Sequence, residues 1–187
     1  MIPSQNIVAW SQSAPWAEQR QIEQDLIISR ALVEIFSDPF LAEELRFRGG
    51  TALNKIHFPG PLRYSEDIDL VRTSAGAIGP ILDRLRALLE PWLGPANFAQ
   101  SQIAPKFRFR VAAEDGGDAP IRLKLEINTR EIEAYDPILM VPLPSTIRGL
   151  LEPQQSRHSQ TKRCWRQSSE RFCSETRAGT SMILRMV

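Results

Sequence analysis

Three stretches of this chain alternate apolar and charged residues with a period of two. Asp67-Ile68-Asp69-Leu70-Val71 alternates acidic and apolar residues, and Lys106 to Val111 alternates basic and apolar ones. Ile121 to Ile127 sets Ile121, Leu123, Leu125 and Ile127 on one face, with Arg122, Lys124 and Glu126 on the other. Successive side chains of a strand leave opposite faces, so each stretch predicts a strand with one face in a core and one face wet. Such a sheet needs a cover on its apolar side, and helical periodicity supplies one. From Pro15 to about Phe36, the residues Ile22, Leu26, Val33 and Phe36 share one helical face with the small Ser29. Pro80 to Glu90 is amphipathic on Ile81, Leu82, Leu85, Leu88 and Leu89. Ser37-Asp38-Pro39 breaks the first helix, and a second helical turn runs through Leu45. Phe47 to Gly50 reads as a short strand entering a glycine turn, Thr51 to about Ile56 as the start of a helix, and Pro59-Gly60-Pro61 as a loop. This order of elements predicts an α+β fold, a small mixed sheet flanked by helices.

Composition narrows the classes. A chain of 187 residues suits one globular domain with extensions, and its formal net charge of +1 advertises no global basic field. No apolar run approaches the ~18 residues of a membrane span. The start, MIPSQNIVAWSQ, has no basic segment leading into an apolar one, so a secretory signal is not expected. Cys164 and Cys173 show no metal-ligand spacing, so no disulfide framework is indicated and a cytoplasmic location is expected. His57 and His158 are too scattered for a metal site. The average also hides a seam. Residues 1–151 hold 16 Lys+Arg against 19 Asp+Glu, a balance of −3, whereas residues 152–187 hold seven against three, a balance of +4. No apolar periodicity survives from Gln154 to Thr180, so the segment is expected to be disordered or loosely attached, and only its last six residues are rich in aliphatics.

The chemistry concentrates around Asp67 and Asp69. At i and i+2 on a strand, their carboxylates leave the same face with Cα atoms roughly 6.5–7 Å apart. Like charges so close call for a cation, and an oxygen-only ligand set suits Mg²⁺ or Mn²⁺. Glu126, on the wet face of another strand, can supply a third carboxylate. Three such groups can hold two metals about 3.5–4 Å apart, the arrangement for in-line phosphoryl transfer. The turn Gly49-Gly50-Thr51 precedes a helix, where glycines admit a phosphate to the backbone, free N–H groups face it and a hydroxyl adds a donor. Each piece has a plain alternative: Asp-x-Asp as solvated decoration, Gly-Gly as a turn, Glu126 beside Lys124 and Arg130 as a surface ion pair, Arg63 and Ser65 as loop polar residues. Their combination in this order is what points to a triphosphate-plus-metal site.

The segment FRGGTALNKIHFPGPLRYSEDIDL, from Phe47 to Leu70, closely resembles the first motif of the AbiEii/AbiGii toxin family of nucleotidyltransferases, within the DNA polymerase beta-like nucleotidyltransferase superfamily. The upstream helix with Pro15-Trp16 and the strand Leu123 to Asn128 are similar to the same family, so the resemblance spans roughly residues 7 to 150. It implies a polymerase beta-like core over residues 1–150. It also implies Asp67, Asp69 and Glu126 as catalytic, Mg²⁺-binding (or Mn²⁺-binding) residues, and Gly49, Gly50, Thr51, Ser65 and Lys124 as the nucleotide-binding set. By the same resemblance, an NTP is the substrate, an RNA hydroxyl (in some members the tRNA 3′ end) is the acceptor, and the system is toxin–antitoxin or abortive infection. A repressor-type antitoxin would be the partner, with no membrane involved.

Residues 151–187 depart from the family, which continues with a helical half containing an Ala-Thr-Lys-like motif and an Arg-Asp…Asp-Leu motif. With codons chosen freely, Cys164 to Val187 read two nucleotides on can give LATKLRALLQRNKGRDLYDLAHG, and the single codons of Trp165, Met182 and Met186 fit. The expectation is therefore a non-family, frameshifted tail, which the coding DNA decides. Weak activity would follow, because the lost groups would position the triphosphate and acceptor. Two competing readings keep parts of this picture. One is a protein adenylyltransferase. The other is a catalytically impaired remnant that binds only nucleotide or antitoxin. Lys106, Arg108 and Arg110 share a strand face and could meet a phosphate backbone, or be merely solvated.

Overall fold

A computed structural model describes residues 2–56 and 64–132, and the backbone of 139–142 and 183–186. Three helices come first: α1 (Ser4–Ser11), α2 (Gln19–Ser37) and α3 (Pro39–Glu44). Strand β1 (Leu45–Arg48) runs directly into α4 (Gly49–Ile56). Then follow β2 (Asp67–Arg72), α5 (Gly79–Leu93), β3 (Asn97–Ala99), β4 (Lys106–Val111), β5 (Ile121–Asn128), β6 (Leu139–Pro142) and β7 (Ile183–Met186). The strands form one mixed sheet in the order β3-β4-β5-β2-β1-β7-β6. β2 and β5 are parallel, while β1–β2 and β4–β5 are antiparallel. The α+β expectation holds, as does each of the three alternating strands.

Alternation decides which face is covered. Ile68 and Leu70 on β2, Phe107 and Phe109 on β4, and Ile121, Leu123, Leu125 and Ile127 on β5 are all buried. They form one core with α2 and α5, to which Leu26, Ile27, Ile35, Ile81, Leu85 and Leu89 contribute. Asp38 ends α2 and starts α3. Its carboxylate accepts from the Leu41 N–H at 3.0 Å, and Pro39 occupies the first turn of α3, where no N–H is missed.

Three features differ from the sequence expectation. α2 is buried around most of its circumference, including Glu23, Gln24 and Asp25, because α1, α5 and the sheet surround it. A helix enclosed on several sides does not show a single apolar stripe. The N-terminal α1, not foreseen, seats Ile7 and Trp10 in the core. β7 lies within the segment expected to be disordered and pairs with β1 and β6; it occupies the aliphatic end of that segment. The rest of that segment, both cysteines, both histidines, Arg63 and the Pro59-Gly60-Pro61 loop lie outside the described residues.

Candidate active site

Register brings the expected acidic residues together. Across the parallel β2–β5 pair, Asp67 lies opposite Lys124 and Asp69 opposite Glu126. Across β4–β5, Arg108 lies opposite Lys124 and Lys106 opposite Glu126. β1 places Arg48 opposite Asp69. Directly opposed residues share a face, so two charged rows cross the sheet: Arg48–Asp69–Glu126–Lys106 and Asp67–Lys124–Arg108. They stand about 6.5–7 Å apart, two residues of strand rise. This is the face away from the apolar core.

Two ammonium groups sit among the three carboxylates. Lys124 Nζ is 2.7 Å from Asp67 Oδ2 and 3.8 Å from Glu126 Oε2, and Lys106 Nζ is 3.0 Å from the same Glu126 oxygen. The hydrogen bond to Asp67 is the main cause that raises the Lys124 pKa above its ordinary value. Burial opposes it, and the charges of Asp67, Glu126 and Asp69 add to it. Among the described residues no ion pair reaches Asp69, and Arg48 pairs with Glu131 instead. Burial is the largest influence on Asp69 and raises its pKa. The charges of Asp67 and Glu126 act in the same direction, against those of Lys124 and Arg48.

The glycine turn is tied to this cluster. Gly49 has φ +82°, and a Cβ there would lie 2.5 Å from Asp69 Oδ2 and 3.1 Å from Asp69 Cβ. Glycine is therefore required both by the backbone conformation and by the approach of the Asp69 carboxylate. Thr51, 2% exposed, donates its hydroxyl to the Asp67 carbonyl at 2.6 Å and shares a hydrogen bond with Ser65 Oγ. Thr51 and Ser65 are thus brought together, and their hydroxyls fasten α4 to the entrance of β2. Gly49 and Gly50 are exposed at the start of α4, where the first-turn N–H groups lack intrahelical partners and suit an anion.

Sequence reasoning missed a second anchor under the same helix. Lys55 of α4 donates to Asp25 Oδ1 at 2.8 Å and to Ser29 Oγ at 2.9 Å. Trp10 Nε1 donates to Asp25 Oδ2 at 2.8 Å. Tyr64, just before β2, donates to Gln24 Oε1 at 2.6 Å; burial, with the charges of Glu66, Asp25 and Glu18, pushes its pKa up to about 12. In sequence Lys55 shows only as i+4 from Thr51 on α4, and nothing there joins it to Asp25, 30 positions earlier.

The donor set fits a hard divalent cation in its chemistry: three carboxylates, oxygen only, in adjacent register positions on one face. Their side chains are not gathered on one point, and among the described residues no three such groups stand ready to hold an ion. The physical reason is local, since the lysine ammoniums already hold Asp67 and Glu126 and take the place of a cation. A cavity of about 540 Å³ lies at the other end of β2, lined by Arg72, Phe98, Gln102 and Thr129, and touches none of these residues.

Comparison with known proteins then adds a family. The profile described as "Nucleotidyl transferase AbiEii toxin, Type IV TA system" matches residues 30–159, more than half of the chain. No curated protein matches the sequence. Among solved structures, JHP933 from Helicobacter pylori is similar at 21% identity and a TM-score of 0.49, over 66% of this chain and 50% of its own. MenT4, a nucleotidyltransferase toxin from Mycobacterium tuberculosis, is similar at 18% identity and a TM-score of 0.35, over 66% of this chain and 42% of its own. The chain thus spans about half the length, or less, of these solved structures. With its matched region running from within α2 to beyond β6 and enclosing every residue of the acidic cluster, the chain belongs to the family of AbiEii nucleotidyl transferase toxins of type IV toxin–antitoxin systems.

Proposed function

We propose that this chain carries the nucleotide-transfer site of a metal-dependent toxin that moves a nucleotide from an NTP to an RNA hydroxyl, with the tRNA 3′ end as the favoured acceptor. The observation that carries the reading is the placement of Asp67, Asp69 and Glu126 in register on one open face, beside the exposed glycine start of α4. In this reading Asp67, Asp69 and Glu126 would hold Mg²⁺ or Mn²⁺, which when bound would supply neutralisation of triphosphate charge and a lowered pKa for the attacking hydroxyl. The backbone N–H groups of Gly50 and Thr51 hold phosphate oxygens at the helix start. Gly49 leaves room for Asp69, while Ser65 and the Thr51 hydroxyl keep β2 at a constant distance from that helix. Lys124, whose ammonium lies 2.7 Å from Asp67 Oδ2, is on the same face and would meet the charge of the triphosphate there. The acceptor hydroxyl releases its proton to solvent, its oxygen bonds to the α-phosphorus as the bond from that phosphorus to the oxygen bridging the β-phosphate breaks, and pyrophosphate leaves. A repressor-type antitoxin is the proposed partner and the cytoplasm the proposed location.

The test is incubation of the full chain with each α-³²P-labelled NTP, Mg²⁺ and total tRNA, beside the Asp67→Ala/Asp69→Ala variant. Label on RNA is expected with the wild type and to fall by about 10³-fold or more in the variant, as loss of metal-held charge stabilisation demands. Equal labelling by both proteins would overturn the reading.

A further inference from the structure

We infer that the exposed arginines Arg108, Arg110 and Arg122 form a phosphate track along which a single-stranded RNA reaches the carboxylate cluster; this rests on the proposed RNA acceptor. The residues come from two strands and one face. Arg110 lies directly opposite Arg122, and Arg108 directly opposite Lys124. Like charges directly opposed across an antiparallel pair weaken it, so two consecutive such pairs are a cost to the fold. Of the other cations of this sheet face, Lys106 is compensated by Glu126, Lys124 by Asp67 and Arg48 by Glu131, while Arg46, opposite Val71 on β1, is half-buried and has no ion pair among the described residues. Among the described residues, Arg108, Arg110 and Arg122 are exposed and no carboxylate pairs with any of them. Lys106, grouped with them by sequence, belongs instead to the acidic cluster, and Arg122 takes its place on the track.

The layout selects the ligand. Arg108 continues the row of Asp67 and Lys124, and Arg110 with Arg122 forms the next row outward. Rows about 6.5–7 Å apart lead from the carboxylates to the Arg110–Arg122 row, which carries positive charge alone and precedes the β4–β5 hairpin with Glu114, Asp115 and Asp118. One row of cations serves a triphosphate held at the carboxylates, and the farther row serves the phosphates of a longer chain. Of β3, β4 and β5, the aromatic residues Phe98, Phe107 and Phe109 all lie on the opposite, core-facing side. The track therefore offers charge without a stacking platform, and it reads backbone phosphate rather than base sequence.

The experiment is fluorescence anisotropy of the full chain with a labelled 20-nucleotide single-stranded RNA, titrated between about 25 and 200 mM KCl. Three proteins are compared: wild type, Arg108→Gln/Arg110→Gln/Arg122→Gln, and Arg86→Gln on α5, across the sheet. Wild type is expected to bind with a salt dependence that the triple variant makes shallower by about 2 in log Kd per log salt, three phosphates at ~0.7 each. Arg86→Gln keeps the wild-type slope, and an RNA of the same length but different sequence binds wild type equally. Thermal melting controls for folding, and the triple variant is expected to melt no lower than wild type because opposed charges are removed. No RNA binding by wild type, a slope change below ~0.7, or an equal change in Arg86→Gln overturns the proposal. Binding of labelled ATP with Mg²⁺, measured on the same proteins, separates the two claims. Failure of the nucleotide site appears there in wild type, whereas failure of the track appears only with RNA.

Discussion

Two clusters of carboxylates and lysines lie on either side of α4, and they are built differently. Under the helix, Asp25 faces one ammonium, an indole N–H and a helix of mostly buried residues, and each of its oxygens has a donor at 2.8 Å. On the open sheet face, three carboxylates face two ammoniums, and Asp69 has no ion-pair partner among the described residues. The first cluster is matched charge for charge and can only hold α4 in place. The second keeps an excess of negative charge and exposed oxygens, with the Asp67 side chain 40% exposed. Unmatched charge costs stability, and a fold keeps it where a ligand completes it. The closed cluster thus positions the helix whose first residues border the open one.

The comparison can be broken most forcefully at Lys55. Lys55→Ala leaves the Asp25 carboxylate without its ammonium and is expected to cost about 2–3 kcal/mol, below the value for a fully buried pair because both side chains keep some solvent. Urea unfolding measures this, and a loss under ~0.5 kcal/mol would show that the pair is no anchor. Gly49→Ala probes the junction between the clusters. The positive φ and the contact with Asp69 Oδ2 predict a cost of about 1–2 kcal/mol. Nucleotide binding should fall together with stability, since Asp69 must move; unaltered binding would separate Gly49 from the site.

The smallest effect is expected at Glu23, a buried carboxylate on α2 without a matched ammonium. Burial is the largest influence and raises its pKa above 4.5, helped by Glu114 and Asp115 and opposed by the Glu114 N–H and Arg20. A raised folded pKa means that the folded state binds the proton more tightly. Its contribution is complete below the ordinary glutamate range and is lost as pH rises through the raised value. Glu23→Gln should therefore melt higher than wild type at neutral pH, by less than Lys55→Ala melts lower, and the gain should vanish near pH 4. A gain that persists at pH 4 would mean that the side chain acts through packing instead of charge.

Much of the fold was legible because its strands are half-buried. A period of two marked β2, β4 and β5, and the same alternation put Asp67 and Asp69 on one face of their strand and Glu126 on the wet face of another, which register then made one face. α1 and β3 escaped because each is short and gains its order from burial against the rest of the chain. The polar residues of α2 escaped for a related reason. Asp25 and Glu23 look like solvent-facing residues until their partners Lys55 and the Glu114 N–H arrive from 30 and 91 positions away.

The amino-acid sequence by itself determined the α+β class, the charged side of the sheet, the glycine turn and the acidic residues, because strand alternation and turn chemistry act over a few neighbouring residues. Only the tertiary structure decided who neutralises whom. Parallel pairing of β2 with β5 brought Lys124 to Asp67, and antiparallel pairing of β4 gave Lys106 to Glu126 and left Arg108, Arg110 and Arg122 on these two strands without carboxylate partners among the described residues. Strand register is a long-range property, set by which apolar faces must meet in the core, and a shift of one residue would exchange the two faces.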